Sequence, residues 1–147
     1  MKKKILYIDM DNVLVDFNSG IESLSPEDKI KYKGRYDECP DIFSLMVPLN
    51  GAVEAYEQLS KKYDTYILST SPWDNPSAGK DKLLWVKKYL GKAVYKRLIL
   101  SHHKNLNIGD YLIDDRTANG AGEFKGEHIH FKTDRFKDWK DVLNYLL

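Results

Sequence analysis

The stretch that decides the fold is KILYIDMDNV, residues 4–13, near the start of a chain of 147 residues. Its first part, residues 4–9, is a short apolar run with β-branched and aromatic side chains, which is typical of a buried strand. The run ends in Asp9, and Asp11 follows two residues later. A strand that ends in acidic side chains predicts a functional site at that end of a sheet.

Four more short apolar runs follow and are predicted to be strands: residues 64–70, 97–101, 110–115 and 128–131. Segments with helical spacing of apolar residues separate most of them. This alternation predicts an α/β fold, in which a parallel sheet carries helices on both faces. In such sheets the carboxyl ends of the strands gather along one edge, where ligands bind.

Three helical patterns accompany these strands. Apolar residues recur at helical spacing between Ala52 and Tyr63. A second helix is expected to have Asp81 as its N-cap and to end before Gly91. A third, amphipathic helix is expected to begin near Asp134 and to close the chain.

Residues 17–46 lose strand character and are polar and mixed. Ser25 as N-cap and Pro26 at the first helical position predict a helix start within this range. We expect residues 17–46 to be a small insert within one domain that spans residues 1–147.

Composition excludes several classes of protein. The 23 basic and 22 acidic residues leave a net charge of +1, so no nucleic-acid or membrane surface is indicated. No apolar stretch reaches the roughly 18 residues of a membrane helix, and the basic start is followed by too short an apolar run for an export signal. Cys39 is the only cysteine, which favours a reducing cytoplasmic setting.

The ends of the predicted strands carry the candidate site residues. These are Asp9 and Asp11, then Ser69, Thr70 and Ser71, then the loop residue Lys104, and finally Asp114 and Asp115. Clustered carboxylates repel one another and are tolerated together when a cation neutralises them. Ligands that are all oxygen favour a hard ion, so the pattern predicts Mg²⁺.

A carboxylate beside a Mg²⁺-bound phosphate indicates phosphoryl transfer through an aspartyl-phosphate. Asp9 is then the nucleophile, and Asp11 gives a proton to the leaving oxygen and later takes one from water. Thr70 and Lys104 offer a hydroxyl and a positive charge to the equatorial oxygens of the phosphoryl group.

These residues carry a family resemblance. DMDNVLVDF, ILSTSP, the loop with Lys104 and YLIDDR resemble the haloacid dehalogenase (HAD) superfamily, and specifically its 5′(3′)-deoxyribonucleotidase branch. PLNGAVEAYEQL and KLLWVKKYLG are also similar to that branch, so the resemblance covers nearly the whole chain. It implies a Rossmann-like, three-layer fold with a small helical cap after the first strand. It also implies a Mg²⁺-dependent cytoplasmic hydrolase whose substrate is a (deoxy)nucleoside monophosphate.

The resemblance assigns further roles. It makes Asp9 both nucleophile and metal ligand, and it has Asp11 offer its backbone carbonyl to the metal. Asp115 becomes the remaining protein ligand and Asp114 a supporting carboxylate. The expected phosphate-binding residues are Thr70, Ser71, Lys104 and Lys82. The expected nucleoside-binding residues are Phe17, Phe43, Trp73 and Arg116.

Two departures from the family pattern stand out. Asn12 occupies a position where glycine is common, although asparagine tolerates positive φ better than most residues. The insert is short and has no tryptophan, so the preferred base stays open. The four histidines, His102, His103, His128 and His130, are expected to be surface or edge residues.

Three alternatives remain at the level of sequence. The first is a phosphatase for another small phosphate, such as a sugar phosphate, or for a nucleic-acid end. The second is a receiver-type signalling module, although a receiver has its acidic pair after the first strand and its phosphorylated aspartate after the third. The third is a catalytically silent homologue, although every expected reactive position is occupied.

Overall fold

The computed structural model describes residues 2–147. The strands are β1 (Ile5–Ile8), β2 (Val15–Asp16), β3 (Val47–Pro48), β4 (Asp64–Ser69), β5 (Leu98–Leu100), β6 (Tyr111–Asp114) and β7 (Glu127–His130). The α-helices are α1 (Phe17–Glu22), α2 (Pro26–Lys31), α3 (Ala52–Lys62), α4 (Ala78–Leu90) and α5 (Trp139–Leu146). Short 3₁₀ helices lie at Tyr36–Glu38, Ile42–Ser44, Gly91–Val94, Lys104–Leu106 and Ala121–Glu123. No helix among these residues is both long and apolar enough to cross a bilayer.

Five strands form one parallel sheet in the order β5-β4-β1-β6-β7. The strand β1 is central, because Ile8 is level with Ile67 of β4 on one side and Ile113 of β6 on the other. The predicted α/β, Rossmann-like fold is confirmed. Asp9, directly after β1, therefore lies between the carboxyl ends of two neighbouring strands.

The two faces of the sheet are covered unequally. Since successive strand residues point to opposite faces, Leu6 and Ile8 join a large core together with residues of α3, α4 and α5, whereas Tyr7 joins a small cluster. Phe124 and the 3₁₀ helix Ala121–Glu123 belong to the small cluster or adjoin it. The helices α3, α4 and α5 therefore lie on one face, and the other face carries the 3₁₀ helix Ala121–Glu123 where α-helices were expected.

The segment 17–46 leaves and re-enters the fold at an antiparallel pairing of β2 with β3. Its helix α2 begins as predicted, because Ser25 Oγ accepts a hydrogen bond from the Asp28 amide at 3.2 Å. The end of the segment is tied to α4, where Trp85 Nε1 donates to the Met46 carbonyl at 3.0 Å. The segment therefore packs on the same core as the sheet.

Two predicted helix starts are wrong. α4 begins at Ala78 rather than after Asp81, because the chain already turns at Asn75, whose carbonyl accepts from the Ala78 amide. α5 begins at Trp139 rather than near Asp134, because a hydrogen-bonded turn occupies the residues before it. In both cases local turn geometry overrode the helical spacing of apolar residues.

Candidate active site

The ends of β1 and β6 bring three carboxylates together. One oxygen from each of Asp9, Asp114 and Asp115 lies within 4.8 Å of the others. The Asp9 amide donates to the Ile113 carbonyl at 2.9 Å, which holds the end of β1 beside β6. The edge that the strand pattern predicted is therefore an acidic cluster.

Burial of these like charges changes their titration. Desolvation, helped by the charges of Asp114 and Asp11, raises the pKa of Asp9 to about 6, although Lys104 opposes the shift. Desolvation, followed by the charge of Asp9, also raises the pKa of Asp115 to about 6. A cluster that resists ionisation in this way is stabilised by a bound cation.

Lys104 supplies one internal counter-charge. Its Nζ donates to Asp9 Oδ1 at 3.0 Å and to Asp114 Oδ2 at 2.6 Å. Burial works to lower the pKa of Lys104, but the two carboxylates outweigh it and raise that pKa. The second oxygen of Asp114 accepts from the Arg116 amide at 3.0 Å, so both of its oxygens are hydrogen-bonded.

The backbone of the next loop positions Lys104. Its amide donates to the Asn119 carbonyl at 2.8 Å. Gly120, at φ +82°, lies so close that a Cβ there would come within 2.9 Å of the Lys104 amide nitrogen. Only glycine combines that φ with such a close approach.

Lys82 of α4 holds the second aspartate of the motif. Its Nζ is fully buried and donates to Asp11 Oδ2 at 3.2 Å, to Ser69 Oγ at 2.7 Å and to the Thr70 carbonyl at 2.9 Å. The ammonium group lies 4.6 Å from the centroid of the Phe43 ring. Asp11 Oδ1 is buried without a hydrogen-bond partner, so one of its oxygens is held and the other is unpaired.

Asn12 makes the turn that its position requires. Its φ is +61°, and its amide donates to the Val15 carbonyl at 2.8 Å. Its side-chain Oδ1 accepts from the Phe17 amide at 3.4 Å. The expected tolerance of asparagine for positive φ is confirmed, and the turn keeps Asp11 beside Asp9.

The two hydroxyls after β4 differ in their hydrogen bonding. Thr70 Oγ1 donates to the Ser101 carbonyl at 2.8 Å. Ser71 Oγ is buried and has no partner. Of the two hydroxyls, that of Ser71 is therefore the unpaired one.

A cleft of about 680 Å³ opens beside the acidic cluster. Asp11, Thr70 and Asp115 line it, and so do three of the four residues expected at a nucleoside, namely Phe17, Trp73 and Arg116. Phe43, the fourth, does not line this cleft, since it is buried with its ring 5.9 Å from that of Phe17.

The insert adds a wall that sequence reasoning missed. Tyr36 and Asp37, in a 3₁₀ helix, line the cleft, as do Pro72 and Trp73 of the loop after β4. We call these four residues the loop lining. An aromatic residue in the insert was the signal that could have revealed this wall. The insert has no tryptophan, but its Tyr36 lines the cleft.

Two histidines of the edge strand β7 form hydrogen bonds with the backbone of Asp114 and Asp115. His128 Nε2 donates to the Asp114 carbonyl at 3.1 Å, and His130 Nε2 donates to the Asp115 carbonyl at 3.0 Å. Burial, the largest cause, lowers the pKa of His128. The expectation of edge residues holds for both, yet each also fixes backbone beside the site.

Solved structures agree with this architecture. A HAD hydrolase of Bacillus subtilis, described as bound to magnesium, superimposes with a TM-score of 0.70 over 99% of both chains at 11% identity. A HAD-superfamily hydrolase of Geobacter sulfurreducens gives a TM-score of 0.63 over 98% of this chain and 100% of that chain at 16% identity. At these identities the likeness shows the fold alone, which is that of HAD hydrolases.

Sequence relatives define the family. A family described as 5′ nucleotidase, deoxy (pyrimidine), cytosolic type C matches residues 22–146. A Vibrio phage KVP40 protein, provisionally named 5′(3′)-deoxyribonucleotidase, is 68% identical over 144 residues, which cover 98% of this chain and 85% of that protein. The human cytosolic-type 5′(3′)-deoxyribonucleotidase is 30% identical over 84% of this chain and 77% of its own length. The chain therefore belongs to this deoxyribonucleotidase family.

Proposed function

We propose that the chain is a Mg²⁺-dependent phosphomonoesterase that hydrolyses (deoxy)nucleoside monophosphates through a phospho-aspartate on Asp9. One observation carries the proposal: Asp9 is buried in the acidic cluster and hydrogen-bonded to Lys104, and its neighbours Asp11 and Asp115 line a cleft of about 680 Å³. The family membership supports the nucleotide as substrate, since the human relative bears that activity in its name.

Asp9 and Asp11 divide the chemistry. An Asp9 carboxylate oxygen attacks phosphorus while the bond from phosphorus to the nucleoside oxygen breaks, and Asp11 gives that oxygen a proton. In the second step Asp11 takes a proton from water as the water attacks phosphorus, which releases inorganic phosphate and restores the Asp9 carboxylate. The unpaired Oδ1 of Asp11 suits this exchange, because Lys82 holds only the other oxygen.

Positive charge and hydroxyls receive the phosphoryl oxygens. Lys104 is already 3.0 Å from Asp9 and therefore lies where charge develops in the transition state. Thr70 lines the cleft and is the hydroxyl available to the phosphoryl group once it releases the Ser101 carbonyl, whereas the Ser71 hydroxyl lies near Gly79 of α4 and does not line the cleft. Lys82 contributes mainly by orienting Asp11.

The acidic cluster fits Mg²⁺. Its donors are all oxygen, and the buried Oδ1 of Asp115 has no hydrogen-bond partner. Asp9, Asp115 and the backbone carbonyl of Asp11 would hold the ion, while Asp114, both of whose oxygens are hydrogen-bonded, anchors Lys104. When bound, the ion neutralises the carboxylates and the substrate phosphate.

The loop lining and Phe17 would hold the nucleoside, with Arg116 also on the cleft. Residues 17–46 act in this proposal as a small cap that shields the reacting phosphate from water. A cytoplasmic location belongs to the same proposal, because the human relative is named a cytosolic type and the single cysteine is buried and unpaired.

A substrate panel tests the proposal. Steady-state hydrolysis is measured with Mg²⁺ and with EDTA on deoxynucleoside and ribonucleoside 5′- and 3′-monophosphates, a hexose phosphate and a 3′-phosphorylated oligonucleotide. We expect multiple turnovers on nucleoside monophosphates with Mg²⁺ and loss of activity with EDTA. A higher kcat/KM on the hexose phosphate or the oligonucleotide than on any nucleoside monophosphate would show that the proposed substrate is wrong. A single turnover would favour a receiver-like role.

A further inference from the structure

The insert is fastened to the loop after β4 by a compact hydrogen-bond network centred on Asn75. This side chain is 2% exposed. Its amide nitrogen donates to the carbonyls of Asp37 at 2.9 Å and Cys39 at 3.0 Å. Both contacts bridge more than 30 residues of sequence, so they are tertiary contacts between two separate segments.

Ser77 completes the network. Its Oγ donates to Asn75 Oδ1 at 2.7 Å and accepts from the Asp41 amide at 2.9 Å. The Ser77 amide also donates to Asn75 Oδ1, at 3.2 Å. Every donor and acceptor group of the Asn75 side chain is thereby used, and a fully satisfied buried network favours a single arrangement.

The network joins the two parts of the loop lining. On the insert side, Asp37 both lines the cleft and offers its carbonyl to Asn75. On the other side, Pro72 and Trp73 line the cleft, and the Pro72 carbonyl accepts from the Asn75 amide at 3.1 Å. Asn75 therefore connects both walls, through its side chain to the insert and through its backbone N–H to the turn at Pro72.

We infer that Asn75 is a positioning residue for substrate selection: it fixes the distance between the two walls and so preforms the nucleoside side of the cleft. This role rests on the proposed function and names Asn75 as a residue that determines substrate specificity. A preformed wall spares a bound nucleotide the cost of ordering it. A small aryl phosphate, which lacks the sugar and base of a nucleoside, contacts less of this wall and gains less from it.

Asn75→Asp tests the inference with almost no change in size. The substitution replaces two N–H donors by an oxygen that faces two carbonyl oxygens. We expect KM for a deoxynucleoside monophosphate to rise about tenfold, as loss of buried hydrogen bonds in a binding wall implies. For p-nitrophenyl phosphate we expect kcat/KM to stay within about twofold of wild type. Asn144→Asp, the same change at an exposed residue of α5, is the matched control.

A second pair of variants covers the case in which Asn75→Asp does not fold. Ser77→Ala removes the acceptor for the Asp41 amide and should raise the nucleotide KM about threefold. Ser77→Thr keeps a hydroxyl at this position, so its nucleotide KM should stay close to that of wild type. An equal loss on both substrates, or an unchanged nucleotide KM in Asn75→Asp and Ser77→Ala, would overturn the inference and leave the proposed function standing. If the wild-type protein turned over only p-nitrophenyl phosphate, the proposed function would fall, and the inference with it.

Native-state proteolysis gives a readout that needs no substrate. The insert carries trypsin sites at Lys29, Lys31, Lys33 and Arg35, all exposed. Release of the insert should speed cleavage there in Asn75→Asp relative to wild type and Asn144→Asp, because proteolysis tracks local opening. Equal cleavage rates in the three proteins would contradict the positioning role.

Discussion

The acidic cluster and the loop lining border the same cleft but are built in opposite ways. Asp9 and Asp114 of the cluster are buried and hydrogen-bonded to Lys104, and the buried Lys82 holds the neighbouring Asp11. The loop lining sits on short turns, and Trp73 is 86% exposed. The cluster suits the chemical step, which needs fixed and desolvated groups. The loop lining suits substrate recognition, which tolerates amino-acid substitutions. Substitutions in the cluster should therefore cost far more activity than substitutions in the lining.

The largest effect is expected from Asp9→Asn. The amide cannot form the phospho-enzyme, so kcat should fall by at least about 10⁴-fold. Asp134→Asn, at an exposed turn residue, is the control and should keep full activity. Circular dichroism checks that both variants fold. Activity within tenfold of wild type in Asp9→Asn would remove the proposed nucleophile.

Asp11→Asn should act next most strongly. An amide still accepts the Lys82 hydrogen bond but cannot transfer a proton, so nucleotide turnover should fall about 10²–10⁴-fold. With p-nitrophenyl phosphate, whose leaving group needs no proton, rapid mixing should show one fast turnover followed by slow hydrolysis of phospho-Asp9. A steady rate without that burst would contradict a base role for Asp11 in the second step.

Metal binding should depend on pH. Because the folded-state pKa values of Asp9 and Asp115 are raised to about 6, their protonated forms favour folding. The stability they contribute is fully present below their unfolded pKa of about 4 and is lost as pH rises through about 6. Mg²⁺ competes with protons for these carboxylates, so it should restore the lost stability mainly above pH 6.

The measurement is the melting temperature with Mg²⁺ and with EDTA at two pH values. At pH 7.5, Mg²⁺ at roughly 100 times its Kd should raise Tm by about 5–8 °C, and at pH 5 by less than about 2 °C. Asp115→Asn should remove most of the shift at pH 7.5. Equal Tm shifts at both pH values would show that the ion does not bind to these carboxylates.

The smallest effect is expected from Trp73→Ala. Loss of an exposed stacking surface should raise the nucleotide KM about fivefold and change the free energy of unfolding by less than about 0.5 kcal/mol. Trp73→Phe should keep most of the affinity, and kinetics on p-nitrophenyl phosphate provide the reference. A comparable loss on p-nitrophenyl phosphate would show that the lining and the cluster are not separate in function.

Sequence reasoning reached the cluster more fully than the lining. The positive φ of Asn12 and the convergence of Asp9 with Asp114 and Asp115 follow from strand ends and a turn preference, which are local or topological rules. The start of α4 was misplaced, because Asp81 resembles an N-cap yet lies buried inside the helix. Tyr36 was missed, because nothing in a short 3₁₀ helix tells which way its side chain points.

The sequence by itself determined the order of strands and helices, the acidic edge and the family, since apolar periodicity and strand-end motifs are written locally along the chain. Tertiary structure alone decided that Lys82 holds Asp11, 71 residues away, and that Asn75 holds the Asp37 carbonyl, 38 residues away. Such contacts depend on side-chain direction and on the packing of α4 against the insert. Neither leaves a periodic trace in the sequence.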